Sequence, residues 1–137
     1  MNLRGFVPVT YHGEHYDDYF VNRTGKVWSA KKNKFLAIKQ GKKSTDYPGM
    51  RLRKNNKTKY MQLHRIVAES FVELKRPKDS GISPSQWKKT PKTIKRFIME
   101  LMFVNHIDHN KENYHYKNLE WVTPTQNARA RDEFYNI

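Results

Sequence analysis

Toward the C-terminal end, a short apolar run at residues 102–106 is followed by a long polar stretch, a second apolar run at 119–122, and then Thr123-Pro124-Thr125-Gln126. No other feature limits the possible folds as much. Two brief apolar runs bounded by polar residues read as strands. Thr123 is a suitable N-cap, Pro124 fits the first helical turn because it lacks the N–H that would go unpaired there, and Gln126 completes a capping box. The order is therefore strand (102–106), polar loop, strand (119–122) and helix (124–134), with Asn127 in the first turns of that helix and its amide free to face the hairpin.

Upstream, the apolar runs are again short. Residues 6–9, 18–21 and 26–30 read as strands, and Asn22-Arg23-Thr24-Gly25 joins the last two as a hairpin because Gly25 accepts the positive φ of a tight turn. Further strands are expected at 34–39, 48–53 and 59–63, the last pair flanking Lys54-Asn55-Asn56-Lys57, whose asparagines tolerate left-handed geometry. One antiparallel sheet through residue 63 is the economical reading. From residue 64 the period changes: Ile66, Val67, Ser70 and Phe71 fall at helical spacing. Pro77, Gly81 and Pro84 interrupt the polar connection 75–90, with a short helical turn starting after Ser83. Thr90-Pro91 opens a helix over 91–101 with an apolar stripe of Ile94, Phe97, Ile98 and Leu101.

At 137 residues this is one domain, or two small modules sharing a core. With no cysteine there is no disulfide framework, thiolate zinc site or cysteine nucleophile. No run approaches a membrane span and no signal peptide opens the chain, so a soluble cytoplasmic protein is expected. The net charge of +14 points to a polyanionic partner. Residues 1–63 carry +10, residues 64–102 carry +5 and residues 103–137 carry −1. Cations upstream can hold a phosphate backbone while the final segment remains uncommitted. The candidate phosphate contacts are Lys31, Lys32, Arg51, Arg53, Lys57 and Lys59 on the outward face of the sheet.

Three motifs, in order, carry a family resemblance. Asn105-His106, Asn118-Leu119-Glu120-Trp121 and Asn127 are similar to the ββα-metal site of HNH endonucleases. Tyr19-Phe20-Val21-Asn22-Arg23-Thr24-Gly25-Lys26-Val27-Trp28-Ser29 resembles the opening of a small β-rich module found beside such domains, and Leu63-His64-Arg65-Ile66-Val67-Ala68-Glu69-Ser70-Phe71 resembles a helix of the same architecture. Together they cover most of the chain in the order seen in phage and intron-encoded homing endonucleases. The resemblance implies an α+β fold: an N-terminal antiparallel β-sheet module that binds DNA (1–63), a helical insertion (64–102) and a C-terminal HNH unit that cuts (103–137). The connection at 75–100 is longer than the family pattern.

The resemblance also assigns roles. His106 is the general base, since a neutral imidazole takes a proton from water near pH 7; a buried structural histidine is the alternative. Asn127 and Asn105 are ligands for one divalent ion, Mg²⁺ or Mn²⁺, through amide oxygens. Asn105 stands where many relatives carry aspartate, so the ion is held by fewer formal charges and weak affinity without DNA is expected. Asn118 orients the loop. Asp108 opens the loop turn and is a further candidate ligand. His109 stands where relatives usually carry glycine. The histidines 106, 109 and 115 lack the spacing of a zinc hydrolase site, and the acids Asp108, Glu112 and Glu120 are too few for two metals. The expected activity is metal-dependent hydrolysis of double-stranded DNA, nicking as a monomer or weak dimer. A DNA-binding protein that keeps the fold without cutting is the alternative, and a structured-RNA binder a third possibility.

Overall fold

The computed structural model describes residues 2–40, 47–78 and 80–128. β1 (Val7–Tyr11) and β2 (Glu14–Val21) pair antiparallel about His12-Gly13, both at positive φ, and a bulge separates Pro8 from Val9. β3 (Val27–Ser29) and β4 (Lys34–Phe35) complete a four-stranded sheet in the order β1-β2-β3-β4. The β2–β3 turn forms as its residues predict. Asn22 Oδ1 accepts from the amides of Thr24 and Lys26 at 3.1 and 2.9 Å, and Gly25 holds φ +91°, with Tyr114 packed where a side chain would project.

The expected single sheet through residue 63 is two sheets. β5 (Gly49–Lys54) and β6 (Lys57–Gln62) form a separate hairpin, whose one backbone β-bridge to the preceding chain among the described residues is Lys39–Gly49, while Tyr11 and Tyr19 of the first sheet hold it through their hydroxyls. Asn55 and Asn56 are both left-handed (φ 53° and 62°), the requirement of a two-residue primed turn. The strand expected at 34–39 stops at Phe35, which packs edge-on against Trp28 at 5.0 Å on the sheet rim.

Helix α1 (Leu63–Phe71) runs straight on from β6, its first amide donating to the Pro48 carbonyl. It is the centre of the molecule. Ile66, Val67 and Ala68 are fully buried against Val9, Val21 and Val27 of the sheet and Met50, Leu52 and Met61 of the hairpin. The same cluster takes in Val104 and Leu119 from the last strand pair, so one core spans all three sequence segments. Each such aliphatic side chain contributes about 1.5–3 kcal/mol by burial, and Ile66→Ala would cost about 2–5 kcal/mol.

The insertion folds as α2 (Pro84–Lys89) and α3 (Lys92–Glu100). Ser83 and Gln86 form a reciprocal capping box. The α3 apolar stripe does not become core: Ile94, Phe97 and Leu101 are 50, 63 and 60% exposed. A polar cluster holds α3 instead. The fully buried Glu69 carboxylate of α1 accepts from the amides of His12 and Gly13, from Arg65 at 3.2 Å and from Arg96 of α3. Arg65 also donates to the carbonyls of Met99 and Met102 at 3.2 and 3.0 Å, fixing the end of α3 where the chain enters β7 (Phe103–His106). β7 pairs antiparallel with β8 (Leu119–Val122), His106 opposite Leu119 and Asn105 opposite Glu120. Residues 124–128 are helical, and the Thr123–Gln126 capping box is made in both directions at 3.1 and 3.0 Å. The rest of the helix expected to 134 lies outside the described residues.

Candidate active site

Strand alternation divides β7 into two faces. Val104 and His106 turn inward, while Phe103 and Asn105 turn outward. His106 ends the strand at 4% exposure, and its Nε2 is buried without a hydrogen-bond partner. The imidazole lies parallel to the Tyr47 ring at 5.8 Å and against His64 of α1 at 4.8 Å, and the Lys111 ammonium sits 4.9 Å from the Tyr47 ring centre. Burial holds the His106 pKa down at about 4, opposed by the nearby Asp108 carboxylate and assisted by Lys111 and His109. Burial also lowers His64, to about 3, with His106 and Arg65 adding to the effect. Both rings are neutral at pH 7, and a neutral imidazole is one able to accept a proton.

The loop after β7 is closed by its own side chains. The Asp108 carboxylate accepts from the Asn110 amide at 2.8 Å, from Asn113 Nδ2 at 2.9 Å and from Asn118 Nδ2 at 2.9 Å. These three donors, Asn113 first, pull its pKa down to about 2. Asn118 also donates to the Asn113 carbonyl and accepts from the Asp108 amide at 3.1 Å, so both ends of its amide are engaged. The Asp108 oxygens are thus directed into the loop. His109 adopts φ +60°, the left-handed region that glycine enters freely.

Asn105 faces the opposite way from His106. Its Nδ2 donates to Glu120 Oε1 at 2.9 Å across the strand pair. Sequence reading counted Glu120 only among scattered acids, although antiparallel pairing of the two strands was the signal that sets it beside Asn105. Asn127 sits in the first turn of the last helix, its amide N–H bonded to the Thr123 carbonyl at 2.9 Å, and its side chain makes no hydrogen bond among the described residues. The structure therefore joins His106, Asp108 and Asn118 in one region and Asn105 with Glu120 in another, with no hydrogen bond linking Asn127 to either. Among the described residues no three His, Asp or Glu side chains converge as a metal cluster. The side chains of Asn105, Glu120 and Asn127 offer hard oxygen donors of the kind that suit a Mg²⁺-type ion, although only Asn105 and Glu120 are joined by a hydrogen bond among the described residues.

The six candidate phosphate contacts do not share one surface. Arg51 and Arg53 lie on one face of the β5–β6 hairpin and, with Lys31 and Lys32, line a groove of about 1030 Å³ against the first sheet. Lys57 and Lys59 pair with Lys54 and Leu52 on the other face and line a smaller cavity with Glu14. The buried Arg65–Glu69 pair was also missed by sequence reading, although its i, i+4 spacing on an amphipathic helix was visible.

Residues 90–129 match the HNH endonuclease family model. Over 128 residues, 90% of its length, the chain is 29% identical to an uncharacterised HNH endonuclease of Acanthamoeba polyphaga mimivirus, covering 31% of that protein. It superposes on the HNH homing endonuclease I-HmuI, solved in a study of DNA binding and cleavage, with a TM-score of 0.62 and 28% identity, covering 89% of this chain and 56% of that one. The chain thus spans about a third of the viral relative's length and just over half of the solved endonuclease. It shares the HNH homing-endonuclease fold, mixed α+β with the antiparallel sheet first and the small strand pair last. No helix among the described residues is long and apolar enough to cross a membrane.

Proposed function

We propose, from its relation to HNH endonucleases, that this chain hydrolyses phosphodiester bonds in double-stranded DNA with one divalent metal, Mg²⁺ or Mn²⁺, nicking one strand per monomer. The observation that carries the reading is His106 Nε2, a buried imidazole nitrogen with no partner on a ring held neutral. An unpaired buried polar atom costs about 1–3 kcal/mol, a cost consistent with a nitrogen kept free for a reaction. In this reading the Asp108–Asn118 clasp fixes the loop and so the ring, and His106 takes the proton from the attacking water. Asn105 and Asn127 would hold the metal through their amide oxygens. When bound, the ion supplies charge neutralisation at the scissile phosphate and the departing 3′ oxygen. The +10 of residues 1–63 supplies the phosphate contacts, with residues 103–137 cutting.

The cover over His106, 4% exposed, requires the substrate complex to differ locally from this structure, because catalysis needs a water at Nε2. The same cover favours the competing reading, a DNA-binding protein that keeps the fold without cutting. Nicking of supercoiled plasmid in Mg²⁺ separates the two. His106→Ala should lower the rate by about 10²–10⁴ while leaving DNA affinity nearly unchanged. Absence of metal-dependent nicking by the unaltered chain, or undiminished nicking by the variant, would remove His106 as the base. Asn127→Ala should lose most activity at low Mg²⁺ and recover part of it at high Mg²⁺, since mass action refills a weakened site.

A further inference from the structure

Glu120 lies beside Asn105 in a basic groove. The chain carries 27 lysines and arginines against 13 acids, and Lys75, Arg76, Lys78 and Lys117 line the same groove of about 760 Å³ as Glu120 and Asn105. Among the described residues Glu120 forms no ion pair, and with Glu73 it is one of the two acids that line this basic groove. Among the described residues its side-chain partner is a neutral amide, Asn105 Nδ2 at 2.9 Å. That bond has two consequences. It fixes which end of the Asn105 amide faces Glu120, leaving Asn105 Oδ1 unencumbered as a donor. It also uses only one of the carboxylate oxygens, so Oε2 remains available beside it.

We infer that Glu120 belongs to the cation site: it orients Asn105 and supplies the formal negative charge that an amide at position 105 cannot. This rests on the metal-dependent reading above. A neutral amide coordinates a hard cation through a dipole alone, and divalent oxygen sites usually include carboxylate. Here the charge stands one position across the strand pair instead of on residue 105. The cations lining the groove suit a phosphate strand passing the ion, and their repulsion of a free ion makes one nearby negative charge more consequential for binding.

A charge-swap series tests this by metal binding alone. Mn²⁺ is titrated into the full chain with a short duplex present, the free ion being followed by its electron paramagnetic resonance signal, in a His106→Ala background so that no cutting occurs. Glu120→Gln keeps an acceptor for Asn105 and removes only the charge; Mn²⁺ affinity should fall about 10–100-fold, with little change in metal-free unfolding. Asn105→Asp/Glu120→Gln moves the charge to the opposite strand and should restore affinity to within a few-fold of the parent. Unchanged affinity in Glu120→Gln, together with weakened binding in Asn105→Ala, would overturn the role of Glu120 and leave the metal reading standing. If the parent complex binds no Mn²⁺, the metal reading itself fails, and the inference with it. Should Glu120→Gln fail to fold, the swap variant decides: near-parent binding supports the assignment and lost binding overturns it.

Discussion

Replacing Glu69 by glutamine should destabilise the protein more than any other single polar change among the described residues. The Glu69 side chain is fully buried, and its two oxygens serve the His12 and Gly13 amides, Arg65 and Arg96. Arg65 is itself 7% exposed, so removing the carboxylate charge leaves a guanidinium in the interior with the neutral Met99 and Met102 carbonyls and the Trp121 ring face. Breaking a buried pair from one side costs about 3–5 kcal/mol. Two features reduce this. Arg96 is 33% exposed and retains Glu100 at 2.7 Å, and glutamine keeps one acceptor oxygen. The expected loss is about 2–4 kcal/mol, a large part of the ~5–15 kcal/mol typical of a domain. Urea unfolding followed by far-ultraviolet circular dichroism measures it, with Arg96→Ala as the milder companion. A loss under about 1 kcal/mol would show that the cluster behaves as a screened surface network and does not anchor α3.

Acid sensitivity should follow from the two buried imidazoles. Their folded pKa values of about 3 and about 4 lie below the ordinary 6.5, so the unfolded chain binds more protons between those limits. Stability from this source is full above pH ~6.5 and declines as pH falls toward 3–4, and His64→Phe should flatten the decline in unfolding free energy measured across that window. Gly49→Ala should cost more than about 2 kcal/mol, because the new methyl would overlap the Met61 carbonyl across the hairpin; a neutral change in urea midpoint would contradict the packing. Asn118→Ala removes a donor to Asp108, so the Asp108 pKa should rise from about 2 in carbon-detected NMR titration; no movement would mean Asn113 and Asn110 hold it alone. Arg51 and Arg53 lie on one face and Lys57 and Lys59 on the other. Under the proposed DNA binding, only one of the two double variants should flatten the slope of log affinity against log salt, by about one to two units, and equal effects would contradict a single docking face.

The elements that sequence revealed are those specified by local chemistry. Thr123-Pro124-Thr125-Gln126, Ser83-Pro84 and the Asn22–Gly25 turn each carry their own hydrogen-bonding instructions, and all three form as read. What it concealed depends on partners distant in the chain. The α3 stripe was legible as helical periodicity, but its exposure follows from Glu69, 27 residues before Arg96, drawing the polar side of the helix inward. Likewise the separation of β5–β6 from the first sheet cannot be read from alternation, which fixes faces and not neighbours. At the candidate site, His106 and Asn118 were singled out through their resemblance to a known motif. The opposite orientation of Asn105 and its pairing with Glu120 emerge only from the register of β7 on β8.

The strand pair that carries His106 has no independent footing. A lone two-stranded ribbon is marginal in water, and this one is fastened from outside at several points: Arg65 holds the Met102 carbonyl at its entry, Trp121 Nε1 reaches the Val72 carbonyl at 2.9 Å, and the Tyr116 amide reaches the Arg23 carbonyl at 2.9 Å. A segment recognised by its motif is therefore not one that can be excised or transplanted by its motif. A graft of residues 90–129 alone would carry His106, Asn118 and Asn127 without the scaffold that holds the strand pair. Any inheritance of this segment between genes would have to bring α1 and the β2–β3 turn along, or find their equivalents in the recipient.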